Sequence, residues 1–182
     1  MPHHQVSTNI PVSDQGKDGH YTSLLKRDDL VLRDTVTDSR VIVMSCSAYR
    51  SMCDELYNQF QSGAGVILYR MGEGYASKMF AAFPKLGSST DDLLRGLERL
   101  SYMAGWGRMK ARVLDESNME CIAEKSAFVL RRDDIGPTSC YFLSGVLGAT
   151  ASKLFQRQFI AREVSCESGG AKLCRFKIEV KN

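Results

Sequence analysis

Hydrophobic and polar positions alternate most regularly in the second half of the chain, where they predict β-strands. Met109, Ala111 and Val113 alternate with Lys110 and Arg112, and this period of two is typical of a half-buried strand. The segment 120–130 is its predicted partner, and two further strands are predicted at 157–166 and 173–180. Because these strands follow one another closely along the chain, we expect them to pair antiparallel.

A longer period predicts three helices. The first begins at Ser45 or Ser47 and is expected to bury Met52, Leu56 and Phe60. The second begins at one of the polar residues 88–90, and its two following aspartates favour the helix dipole. Its expected buried stripe consists of Leu93, Leu97 and Leu100. The third helix begins near residues 137 and 138, where a proline precedes a segment rich in small residues.

Two short apolar runs, 41–44 and 66–70, predict strands of the β-branched and aromatic type. The second run is followed by Gly72-x-Gly74 and a predicted short helix ending before Pro84, an order that resembles a dinucleotide-binding fingerprint. The third glycine position of that fingerprint holds Ser77, so we favour a tight strand-to-helix turn without a dinucleotide site.

This order of elements predicts an α+β fold, with a mainly antiparallel sheet and helices packed on it. Residues 1–35 are predicted to be a mobile tail and connector, because residues 1–20 show no periodic apolar pattern. A metal site made of His3, His4 and His20 is the competing interpretation of the tail. Residues 36–182 are predicted to form one domain with a single core.

Composition narrows the classes of partner. The charged fraction of 25% and the formal net charge of +3 describe a surface of mixed sign, so nucleic acid is not the expected partner. No apolar run approaches the ~20 residues that a membrane span requires, and the N-terminus lacks the order of a signal peptide. We therefore expect a cytoplasmic protein without a membrane span.

The six cysteines pose the main chemical question. A reducing compartment disfavours a disulfide scaffold, which leaves burial or metal binding. On the predicted last strand, Cys174 shares the apolar face with Phe176 and Ile178, so its thiol is expected to point inward. Such a cysteine is either a buried thiol or a metal ligand, and its spacing from Cys166 does not decide between them.

The segments CYFLSGVLGAT and REVSCESGGAKLCRFKI, with the GWG motif before them, resemble the 4-vinyl reductase domain family. The resemblance extends over residues 40–182. It implies a fold similar to nitric-oxide-sensing haem domains and to subunits of the TRAPP vesicle-tethering complex. The family includes a bacteriochlorophyll-biosynthesis accessory protein and the sensor domains of phenol- and toluene-responsive transcription activators.

In the phenol-sensing members, zinc is held by the pattern C-x22-E-x2-C-x7-C. The positions of this sequence that match it are Cys140, Glu163, Cys166 and Cys174. The resemblance therefore implies Zn²⁺ in a closed, structural site that joins the last helix to the terminal hairpin. In a regular strand Glu163 and Cys166 face opposite sides, so a bulge is required between them. If Glu163 is not a ligand, Glu167 or water is expected in the fourth position.

The three cysteines outside this pattern are predicted to be buried. They are Cys46, Cys53 and Cys121. Since Cys46 and Cys53 lie seven residues apart on nearly one face of a helix, a second metal site is the minor alternative for them.

The resemblance also implies an apolar pocket for a small aromatic ligand, between helices and sheet. The candidate ligand-binding residues are Trp106, Tyr102, Phe80, Tyr75, Phe128 and Tyr141. Core packing is the competing interpretation for each, and Trp106, which lies between two glycines, is the strongest candidate. The phenol sensors orient the ligand hydroxyl with a histidine. No histidine follows His20 here, so we expect a more apolar or larger ligand.

Three functions follow from the resemblance. The first is a zinc-containing, non-enzymatic domain, expected to be a homodimer, that binds or senses a small apolar or aromatic ligand and acts through a protein partner. The second is an interaction or assembly module like the TRAPP relatives. The third is an accessory or reductase role in tetrapyrrole metabolism, ranked last because no nucleophile–base pair or cofactor motif supports it.

Overall fold

The computed structural model describes residues 25–28, 31–35, 38–80 and 89–181, which fall into two compact units divided after Ile42. The predicted tail up to residue 24, including its three histidines, lies outside these residues, and so does the predicted helix end before Pro84. In the first unit, β1 (Leu25–Asp28) pairs antiparallel with β2 (Val31–Asp34). The predicted division of the chain at residue 35 stays a prediction.

The second unit contains four helices among its described residues: α1 (Cys46–Phe60), α2 (Gly63–Met79), α3 (Thr90–Met103) and α4 (Tyr141–Leu154). The side chains of Ser45 and Ser89 cap α1 and α3 by accepting hydrogen bonds from backbone amides three residues later, each at 3.1 Å. The predicted starts of these two helices are therefore confirmed.

The sheet of the second unit has four strands: β3 (Arg108–Asp115), β4 (Asn118–Glu124), β5 (Phe159–Ser165) and β6 (Cys174–Val180). Their order is β3-β4-β6-β5, and every neighbouring pair is antiparallel. A short 3-10 helix, Glu167–Gly169, lies between β5 and β6. The predicted α+β class and the predicted antiparallel pairing are confirmed.

Helix α4 lies between the sheet and α2, and most of its side chains are buried. Its contact with α2 is close because glycine occupies both sides. A Cβ atom added to Gly145 would collide with the carbonyl oxygen of Tyr69, and one added to Gly72 would collide with that of Phe142. The backbones of α2 and α4 therefore touch directly, without side chains between them.

The predicted strand at 66–70 is wrong, because these residues lie inside α2. The buried face of α2 consists of Ala64, Gly65, Leu68, Gly72 and Ala76, which recur with the helical period. Tertiary packing against α4 thus overrides the local preference of β-branched and aromatic residues for strands. The dinucleotide interpretation of Gly72-x-Gly74 remains rejected, but the strand-to-helix turn that we preferred to it is also wrong, because both glycines are helical.

Two other expectations about apolar residues are wrong. Residues 41–44 form no strand, and Ile42 and Val43 are 82% and 75% exposed. Helix α1 buries Cys53 and Tyr57, whereas Met52 and Phe60 are more than half exposed. The helix carries two apolar stripes, and only the one with Cys53 packs inward.

The leucine stripe predicted for α3 is displaced by one residue. Leu94 is the buried residue of this helix, and the predicted Leu93, Leu97 and Leu100 are half-buried. Among the described residues, no helix has the length and apolar character needed to cross a membrane.

Candidate metal centre and ligand cavity

Three buried thiols meet where α4 begins and where β5 and β6 are joined. Cys140 is the N-cap residue of α4, Cys166 follows the last residue of β5, and Cys174 is the first residue of β6. The Sγ atom of Cys140 lies 4.0 Å from that of Cys166 and 3.7 Å from that of Cys174, and the remaining pair is 3.6 Å apart. The fold thus brings together three cysteines that are up to 34 residues apart in sequence.

Glu163 joins this group through an irregularity in β5. The register of β5 against β6 shifts between Glu163 and Ser165, so the bulge required to turn Glu163 and Cys166 to the same side is present. Its Oε2 atom accepts hydrogen bonds from the backbone amides of Ser139 and Cys140, both at 2.8 Å. Its Oε1 atom is buried and has no hydrogen-bond partner among the described residues.

One ligand atom from each of Cys140, Glu163, Cys166 and Cys174 lies within 4.8 Å of the other three. A buried carboxylate oxygen without a partner is costly, and it is here directed toward three thiols. This donor set could hold a metal ion. Glu167, the predicted substitute, instead accepts a hydrogen bond from the amide of Lys125 at 2.7 Å.

The electrostatics of the cluster favour a shared negative charge. Burial raises the pKa of the Glu163 carboxyl to about 7. Contacts from the thiols of Cys140 and Cys174 stabilise a thiolate at Cys166 and lower its pKa, while the contacts of Cys140 with the other two thiols raise its own pKa. A cation placed among these groups would reverse the rise in the pKa values of Glu163 and Cys140 and deprotonate the set.

Two serines that the sequence analysis missed support the thiols. The hydroxyl of Ser139 lies 3.4 Å from Sγ of Cys166, and that of Ser126 lies 3.7 Å from Sγ of Cys140. Both serines are buried. Ser139 directly precedes Cys140 in sequence, and this adjacency was the one available signal.

The remaining cysteines differ from one another. Cys53 and Cys121 are buried, as predicted, and burial raises the pKa of Cys121 to about 12. Cys46 is exposed, so the prediction of its burial is wrong. Among the described residues, neither Cys46 nor Cys53 belongs to a group that could hold a metal.

A small apolar cavity lies between α3, α4 and the inner face of the sheet. It measures about 50 Å³, and Trp106 is part of its wall. Helix α3 contributes Leu94 and Leu97, and α4 contributes Leu143 and Leu147. The cavity is thus located where the sequence analysis expected a ligand, but it is smaller than the ~150 Å³ of a cavity known to hold benzene.

Most of the other predicted pocket residues lie outside the cavity wall. The rings of Tyr75 and Phe128 pack on Trp106, with centroids 5.3 and 5.0 Å from its own. Tyr102 on α3 is 47% exposed, and Phe80 follows the last residue of α2. None of these four lines the described cavity. Their roles as ligand contacts stay predictions.

Tyr141, the remaining candidate, lies on a second, more open cleft of about 480 Å³. This cleft runs between α2, the start of α4 and β5, and Glu163 forms part of its wall. The hydroxyl of Tyr69 reaches across it and accepts a hydrogen bond from the amide of Ala161 at 3.3 Å. Of the four metal-ligand candidates, Glu163 is the one that borders this cleft.

Sequence reasoning missed a polar residue of the first cavity, Glu98. It lies on α3 four residues after the buried Leu94, and Ser101 follows it three residues later in the same wall. A charged residue at this spacing from buried positions was the available signal. The signal was lost because the buried stripe was placed on Leu93, Leu97 and Leu100.

Comparison with known proteins supports the family resemblance. Residues 119–180 match the family model of the 4-vinyl reductase domain, which confirms the resemblance expected from the sequence. An uncharacterized protein of Methanocaldococcus jannaschii, MJ0150, is 22% identical over 123 residues, which are 66% of this chain and 69% of that protein.

Three solved structures share the fold. The phenol-responsive sensory domain of the transcription activator PoxR, with phenol, has a TM-score of 0.74 at 19% identity and covers 86% of this chain and 85% of its own. A trafficking protein particle complex subunit 3 from Naegleria fowleri, covalently bound to palmitic acid, has a TM-score of 0.58 at 13% identity, over 75% and 93%. An H-NOX protein from S. oneidensis has a TM-score of 0.54 at 14% identity, over 79% and 80%.

Proposed function

Because residues 119–180 match the 4-vinyl reductase domain and the chain shares the fold of a phenol-responsive sensory domain, we propose that it is a zinc-containing binding or sensory domain. Its ligand is a small apolar or aromatic molecule, and its output passes through a protein partner. The apolar cavity beside Trp106 is the observation that carries this proposal. The neighbour's phenol supports the class of ligand and does not identify it.

Zinc is the proposed metal because of the donor set and its dimensions. Three thiols and one carboxylate fill four positions, the number found in closed structural zinc sites. A tetrahedral ion with Zn–S bonds of about 2.3 Å places its sulfur atoms about 3.8 Å apart. The three observed Sγ–Sγ distances, 3.6, 3.7 and 4.0 Å, surround that value.

In this proposal the metal has a structural role. The ion would neutralise the charge of the thiolates and join the start of α4 to the β5–β6 hairpin. Glu163 would contribute Oε1 to the ion while Oε2 holds the amides at the start of α4. With all four positions filled by the protein, no position is open for substrate.

Ligand binding requires the cavity to widen, because about 50 Å³ does not hold an aromatic ring. Three of its wall residues are methionines, Met79, Met109 and Met119, whose flexible side chains can rearrange around a guest. Trp106 is the sole tryptophan of the chain, so its fluorescence reports directly on this wall.

Native mass spectrometry of the purified protein, together with a fluorescence titration, tests the proposal as a whole. We expect one zinc per chain, a homodimer and, on titration with toluene or phenol, a saturable change in Trp106 fluorescence. Zinc-free protein with full secondary structure and an unchanged melting temperature would contradict the metal role. A Trp106 signal that no small apolar molecule alters would contradict the ligand role.

The second candidate is an interaction or assembly module, and exposed apolar side chains on two helices favour it. Met52 and Phe60 on α1 are 54% and 55% exposed, and Val66 and Met71 on α2 are 65% and 45% exposed. The fold shared with a trafficking particle subunit is consistent with such a role. Replacing Phe60 and Val66 with serine distinguishes the candidates, because a purely ligand-binding protein would keep its oligomeric state. A tetrapyrrole-related enzymatic role stays an untested prediction.

A further inference from the structure

The wall of the apolar cavity includes one charged side chain among the described residues, that of Glu98 on α3. Its Oε1 atom accepts a hydrogen bond from the backbone amide of Ala111 at 2.7 Å. Ala111 lies on β3, which is an edge strand of the sheet, so this amide has no strand partner on its outer side within the described sheet. The carboxylate is therefore held in one position by the backbone.

The second carboxylate oxygen of Glu98 remains available. Within the described part of the chain, the bond to Ala111 is the only hydrogen bond of this side chain. A carboxylate can only accept hydrogen bonds, so a molecule that satisfies this oxygen must bring a donor. Ser101, three residues later on the same helix, adds a hydroxyl to this end of the wall.

The rest of the described wall offers no competing charge. It consists mainly of leucine, methionine and other apolar side chains, and Cys121, its thiol, is held neutral because burial raises its pKa to about 12. A ligand that enters displaces water from Glu98, and it must replace the hydrogen bond that this water made. A hydrocarbon cannot do so, whereas an amine or alcohol can.

We propose that Glu98 is the specificity-determining residue of the cavity and selects small apolar molecules that carry one hydrogen-bond donor. An amine is preferred to an alcohol, because a cationic donor makes a charge-assisted bond to the carboxylate. Ligands that carry a carboxylate are rejected by charge repulsion. This proposal rests on the proposed function of the cavity and names the chemistry of its ligand.

Four probes of one ring size test this selectivity: benzylamine, benzyl alcohol, toluene and phenylacetate. Dissociation constants are measured from Trp106 fluorescence and checked by calorimetry, on the zinc-loaded full chain. The test variant is Glu98→Gln, whose amide oxygen can still accept from Ala111. The matched control is Glu116→Gln, which removes the same charge from an exposed turn between β3 and β4.

We expect benzylamine to bind at least about tenfold more tightly than toluene to the unmodified protein, and phenylacetate to bind most weakly. In Glu98→Gln the preference for benzylamine should fall by about tenfold while the affinity for toluene changes by less than about twofold. Glu116→Gln should leave all four constants unchanged.

Two results would overturn the assignment. If toluene binds but benzylamine has no advantage, or if the advantage survives in Glu98→Gln, the cavity binds ligands without selection by Glu98 and the proposed function stands alone. If none of the four probes alters the fluorescence or releases heat, the proposed ligand function fails, and the selectivity fails with it.

Discussion

Replacing Glu163 with glutamine separates the two roles that the structure gives this carboxylate. Its Oε2 atom accepts from the amides of Ser139 and Cys140, and its Oε1 atom is buried beside the three thiols, with no hydrogen-bond partner in the described part of the chain. Glutamine keeps one acceptor oxygen, so the two amide hydrogen bonds survive. Its NH₂ group replaces Oε1 and cannot bind a cation.

The magnitude follows from this division. Loss of partners that only orient a metal ligand costs 10–100-fold in affinity, so loss of the ligand itself should cost at least about 100-fold. At saturating zinc this lowers the stability of the metal-bound protein by about 2.7 kcal/mol. For a chain of this size the melting temperature should fall by about 5–11 °C. Without metal, Glu163→Gln should melt close to the unmodified protein, because glutamine resembles the protonated carboxyl, whose pKa burial raises to about 7.

Glu163→Ala provides the comparison that isolates the amide bonds. It leaves the two amides at the start of α4 without their partner, at a cost of about 1–3 kcal/mol each, with or without metal. Zinc affinity is measured by competition with a chromophoric chelator, and melting by circular dichroism with and without added zinc. The reasoning is refuted if Glu163→Gln binds zinc within about threefold of the unmodified protein, since the two-decade loss would then be absent.

Three further predictions test the cluster, the helix contact and the sheet. Cys174→Ser should lose its zinc, measured by mass spectrometry, and several kcal/mol of stability, measured by urea unfolding; retained metal would contradict this. Gly145→Ala should destabilise by about 2 kcal/mol or more because its Cβ collides with α2, whereas Gly74→Ala, whose added methyl meets nothing within 4 Å, should stabilise slightly; equal melting temperatures would contradict the close contact. Glu120 lies between two arginines that lower its pKa, so Glu120→Gln should cost about 1 kcal/mol at pH 7, and the difference should vanish as pH falls toward ~3; a difference that persists in acid would refute the ion-pair explanation.

The strands and three of the helices could be predicted because their signals are local. The alternation around Met109 and the serine caps at Ser45 and Ser89 each act within a few residues, and the structure confirms them. Helix α2 was missed because its stability is not local. Its glycines weaken a helix in isolation, and they are favourable only because α4 packs against them.

The four residues of the candidate metal centre could be selected from their spacing, since the resemblance identified a pattern that runs from Cys140 to Cys174. The bulge that turns Glu163 inward could be required from strand geometry before it was seen. Ser139, Ser126 and Glu98 could not be selected, because hydrogen bonds between distant segments leave no periodic signal in the sequence. The size of the cavity likewise depends on how side chains fill space, which sequence does not record.

The contact between the backbones of α2 and α4 limits how the domain can respond to a guest. Helix α4 is fastened at its start by the hydrogen bonds to Glu163 and along one side by Gly72 and Gly145, where no side chain is present to compress. A guest that presses outward therefore finds one wall of the cavity unyielding. Helix α3 forms the opposite wall with fewer constraints, so we expect expansion to displace α3 and the glycine-flanked Trp106 that follows it. In mechanical terms, α4 is the fixed jaw and α3 the moving one, and a partner that reads the bound state would read it from α3.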